Sequence, residues 1–84
     1  MRVLIEMPVE RYDAFFDKCD PSAPELSILQ RGMLVRRPHN GHYARTMQID
    51  CHVFHATRLL DLARQIYPDA VPDIEKAIAV PRDS

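Results

Sequence analysis

The sequence predicts a small α+β domain, a three-stranded antiparallel sheet in the order β-α-β-β-α-α with its helices packed on one face. Three observations carry that expectation. Asn40-Gly41 separates two apolar–polar alternating segments, two longer stretches repeat apolar residues at helical spacing, and a β-branched run opens the chain.

Val3, Leu4 and Ile5 read as a strand buried on both faces, ending near Met7 and closed by Pro8. Over residues 8 to 19, Val9, Tyr12, Phe15, Phe16 and Cys19 recur at helical spacing, with Glu10, Arg11, Asp13, Asp17 and Lys18 between them. This is an amphipathic helix with proline in its first turn. Residues 20 to 24 hold two prolines and break the pattern. Residues 23 to 31 fit a helix or a strand; Ser22 with Glu25 as a capping box, and Gly32 as a terminator, favour a short helix.

A two-residue type I′ turn needs positive φ at both central positions, which Asn40 and Gly41 accept at low cost. The hairpin strands then run from about Met33 to Pro38 and from about His42 to Ile49, with Tyr43, Met47 and Ile49 sharing one face. In that register His39 faces His42, Leu34 faces Met47, Arg31 faces Asp50 and Arg36 faces Arg45. Two arginines in opposition are unfavourable, so a tip projecting into solvent is expected in preference to a bulge. Pro38 marks an edge strand.

Asp50 is the expected N-cap of the strongest helix, whose stripe is Val53, Ala56, Leu59, Leu60, Ala63, Ile66 and Tyr67, and Pro68 ends it. A last helix carries Pro72 in its first turn, with Val71, Ile74 and Ile78 on one side and Pro81 as its stop. Residues 1 to 80 make one domain and residues 81 to 84 a frayed tail. The preferred strand order is 2-3-1, with the second hairpin strand central and the first helix as crossover, and 1-2-3 is the alternative.

A chain of 84 residues has room for one core. So short a chain buries only about 60 to 65% of its unfolded surface, which favours a homodimer. A 46% hydrophobic and 27% charged composition is that of a globular domain. Two cysteines and a first segment without signal-peptide character point to a reducing cytoplasm. The longest apolar run, Ala77 to Val80, is far short of a membrane span of about 20 residues. Gly32 and Gly41 are the only glycines, which excludes a glycine-rich phosphate loop. The acids are scattered over helical faces, so no acid–base pair, cofactor or small-molecule substrate is indicated.

The formal net charge of -1 conceals a division along the chain. Between Leu26 and Ile49 the only charged side chains are Arg31, Arg36, Arg37 and Arg45, and the acids lie in the flanking thirds. The basic hairpin is thus the leading candidate for a contact surface, with Arg36, Arg37, Tyr43 and Arg45 as partner-binding residues. Phe54 joins them because helical geometry points it away from the stripe through Leu59 and Ala63. The expected function is a non-enzymatic protein-interaction module, homodimeric, presenting this hairpin to an acidic protein surface. A nucleic-acid regulator using the same arginines is the alternative.

Redox or catalytic action through Cys51 and His52 is a third reading, set against the ordinary role of a small buried thiol in a core. His39, His42, His52 and His55 cluster in sequence. A strand of about 25 Å separates the turn pair from the helix pair, so a single four-ligand zinc site is not expected. His39 with His42, or Cys51 with His52 and His55, would bind metal only between subunits.

Overall fold

The computed structural model describes residues 1–81, so the expected tail lies, beyond Pro81, outside the described residues. Strand β1 (Arg2–Pro8) leads directly into helix α1 (Val9–Lys18). The short α2 (Leu26–Leu29) precedes the hairpin of β2 (Met33–His39) and β3 (His42–His52), and α3 (Val53–Ile66) follows. A 3₁₀ turn (Pro68–Ala70) joins it to α4 (Val71–Ala79). The sheet is antiparallel in the order β1-β3-β2. The chain is therefore a small α+β fold of the expected topology.

Asn40 at φ 49° and Gly41 at φ 80° form the turn, and the ladder from His39–His42 to Met33–Gln48 keeps the expected register without a bulge. Alternation along β3 then builds the core. Met47, Ile49 and Cys51 face Met7, Ile5 and Val3 across the β1 ladder, and all six are buried. The helices close over this face with Phe15, Leu29, Ala56, Leu59, Ala63 and Ile74, each fully buried.

Specific contacts fix the helices to one another. Tyr12 donates its hydroxyl to the Leu29 carbonyl at 2.6 Å, anchoring α2 to α1. The Phe15 and Tyr67 rings stack at 6.0 Å, and Arg11 pairs with Asp73 of α4 at 2.7 Å. Helix α4 lies beside β1, where Leu4, Glu6, Asp73, Lys76, Ala77 and Val80 line a cavity of about 320 Å³.

Four local expectations are corrected. Leu4 is only partly buried, because helices cover one face of the sheet and β1 alternates instead of burying both faces. Ser22 makes no capping box: its N–H and hydroxyl both donate to Asp20 Oδ1, at 2.9 and 2.8 Å, and α2 begins after Glu25 without a side-chain cap. Strand β3 continues to His52, so Asp50 is a strand residue and His52 is the N-cap of α3, its Nδ1 accepting from Phe54 N–H at 3.1 Å. The hairpin ladder ends at Met33–Gln48, and Asp50 instead pairs with Leu4 and accepts from Arg2 Nε at 3.1 Å.

Ile49 sits at the centre of the only sheet described and is fully buried. Ile49→Ala should cost about 2–5 kcal/mol in urea unfolding, a large share of what so small a domain possesses.

Candidate functional site

Past Met47 the helical layer stops and the hairpin continues alone. Thr46 is the last β3 residue paired with β1, opposite Pro8, so residues 42 to 45 bond only to β2. The face that buries Met47, Ile49 and Cys51 is carried on by Arg45 and Tyr43, with Leu34, Arg36 and Pro38 beside them on β2. This is the projecting tip: Arg36 stands directly across from Arg45, and Tyr43, 71% exposed, across from Pro38.

The arginines differ in their surroundings. Arg37 lies on the opposite face, where its Nη2 is 3.1 Å from Glu6 Oε2, and the same oxygen accepts from Gln48 Nε2 at 3.0 Å. One carboxylate thus ties all three strands together and neutralises Arg37. Arg36 and Arg45 are exposed and have no carboxylate partner among the described residues, nor has Arg31 at the entrance to β2.

Phe54 is 69% exposed, but it lies in the first turn of α3, at the opposite end of β3 from the tip. Nine residue steps of about 3.3 Å separate Tyr43 from His52, so a distance of roughly 30 Å keeps Phe54 out of a surface centred on Arg36 and Arg45. Exposed apolar side chains nearer the hairpin were not singled out from sequence: Met33, 69% exposed, and Leu34 both lie on β2. Their signal was the alternation itself, since Leu34 sits beside Met47 at the limit of the helical cover.

Backbone phase adds a further element. The Val53 N–H donates to the Met1 carbonyl at 2.9 Å, continuing the β1–β3 ladder, so odd-numbered residues of β3 turn their amides toward β1. Even-numbered residues of β3 turn theirs toward β2. On β2 the inward partners are therefore Met33, Val35, Arg37 and His39, and the outward groups belong to Leu34, Arg36 and Pro38.

Cys51 does not form a thiol–imidazole pair with His52, because consecutive strand residues face opposite sides and Cys51 is fully buried. Burial pushes the Cys51 thiol above its ordinary value, against a weaker opposite pull from Arg2 and Arg31. Cys19 is raised too, by burial and then by Glu25. Among the described residues no group of three or more histidine, cysteine or acidic side chains is arranged to hold a metal ion. No helix among them is long and apolar enough to cross a membrane.

No known protein family, curated protein or solved structure matches this chain. The hairpin's own geometry is what bears on function.

The raised thiols fix the sign of an alkaline effect. With rising pH the unfolded chain gives up its thiol protons before the native chain does, so the unfolded state binds fewer protons and stability falls. Urea unfolding between about pH 7 and 10 should show that decline. Iodoacetamide should label both cysteines more than about tenfold more slowly than a model thiol until urea is added.

Proposed function

We propose that this chain is a non-enzymatic protein-interaction module that docks its basic hairpin on an acidic protein surface. The observation that carries the reading is the pair Arg36 and Arg45, held face to face on one side of an exposed ribbon with no carboxylate in ion-pair contact with either among the described residues. Like charges in direct cross-strand opposition repel, and a carboxylate arriving from outside relieves that repulsion while accepting charge-assisted hydrogen bonds from both guanidinium groups. Tyr43 and Pro38 extend the same face with rigid, partly apolar surface.

Two unneutralised arginines at the tip, with the acids concentrated elsewhere in the chain, make a small phosphate footprint, which ranks nucleic acid second. A second copy of the chain offers one matching surface. Glu10, Asp13 and Asp17 recur along the exposed side of α1 and have no ion pair among the described residues, so a homodimer belongs to the same proposal.

Immobilised polyglutamate is the probe. Arg36→Glu with Arg45→Glu should weaken its binding by at least about tenfold and leave the circular dichroism spectrum unchanged, whereas Arg37→Ala should cost less than about threefold because Glu6 already neutralises that residue. Undiminished binding by the double variant would remove the tip from the interface. Tighter binding to duplex DNA than to polyglutamate at about 0.15 M salt would assign the arginines to phosphate. Light scattering reads the mass, and dissociation of a dimer by the double variant would identify the second copy as a partner.

A further inference from the structure

We infer that the partner is captured as an added strand: an extended acidic segment of another protein pairs with the outer edge of β2. This rests on the interaction reading above and specifies how the contact is made. The edges of the sheet are unequal. Helix α4 packs against β1, whereas β2 is paired on one side only, with β3, and no helix packs extensively against it among the described residues.

The outer edge presents the N–H groups of Leu34 and Arg36 and the carbonyls of Leu34, Arg36 and Pro38, following the alternation of the ladder. A backbone that pairs with another backbone supplies affinity without selecting a sequence, and the side chains flanking the edge then select. Here they are Arg36 on one face and Arg37 on the other, with Met33 and Leu34 exposed toward the strand's start. Such an edge suits a strand with carboxylates beside the arginines and apolar residues beside Leu34.

A second copy of β2 would bring its own arginines against these with no acid between Leu26 and Ile49 to offset them, so edge-to-edge self-pairing is disfavoured. Pro38 lacks an N–H and sits at an outward position, which ends the ladder near the turn.

The outward amides also supply the test. The protein is labelled with ¹⁵N and titrated with a synthetic peptide of about six residues that has valines in one half and glutamates in the other; the same peptide with lysines in place of the glutamates is the control. At saturation the Leu34 and Arg36 amides should exchange at least about tenfold more slowly, while Val35 is protected with and without peptide. Tyr43 and Arg45, whose amides face the other free edge beyond Pro8, should not change.

Leu34→Pro removes one outward donor, as Pro38 already does naturally, and should weaken the acidic peptide about fivefold beyond Leu34→Ala while Val35 stays protected. Equal affinities for those two variants, slowing at Tyr43 and Arg45 instead, or binding without slowing at Leu34 and Arg36 would each overturn strand addition while leaving the arginine contact standing. Slowing that grows with protein concentration in the absence of peptide would also overturn it, in favour of a second copy on the edge. The arginine reading fails separately, if the Arg36→Glu, Arg45→Glu protein binds the peptide as tightly as the parent.

Discussion

The alternation of β3 is the constraint on which the rest depends. As the central strand it is paired on both sides, and the two-residue turn at Asn40-Gly41 sets its phase against β2. A shift of one residue would turn Met47, Ile49 and Cys51 to the open face and bring Thr46, Gln48 and Asp50 into the core. The same phase places Arg45 across from Arg36 and directs Arg37 toward Glu6. Core formation and the exposure of the arginine pair are therefore one event, because a residue on the buried side of β3 becomes a surface residue wherever the helical layer has ended.

That layer ends for a local reason. Strand β1 stops at Pro8 and the chain turns at once into α1, which leaves the first four residues of β3 without a neighbour on that side. In the gap lies a cavity of about 470 Å³ whose walls include Pro8, Glu10, Tyr43 and Arg45. Stability and exposure are thus divided along the sheet. One half is packed beneath helices fixed by Tyr12, Phe15 and the Arg11–Asp73 pair; the other is a ribbon held by its own ladder.

Much of this was legible in the sequence because the strongest signals were local. Asn40-Gly41 specifies a turn by backbone conformation alone, and the stripes of α1 and α3 follow from periodicity. Helix starts were harder to place. Asp50 suits an N-cap by residue type, but the cap is His52, because the choice fell to the length of β1, whose Arg2 pairs with His52 and carries β3 past Asp50. Long-range charge pairing was not legible either: Arg37 and Glu6 are far apart in sequence and meet only once the strand order is known. Phe54 was correctly expected to face outward, but its distance from the tip depends on the full extent of β3.

The unequal edges govern stoichiometry. A sheet that can lengthen at both margins propagates, and each addition creates the site for the next. Here α4 packs against β1 and the free stretch of β3 on that side is only four residues long, so growth favours the β2 edge and an arriving strand contributes whatever edge its own protein leaves bare. A complex made in this way is finite, closing at one guest for each host unless the guest exposes a new edge.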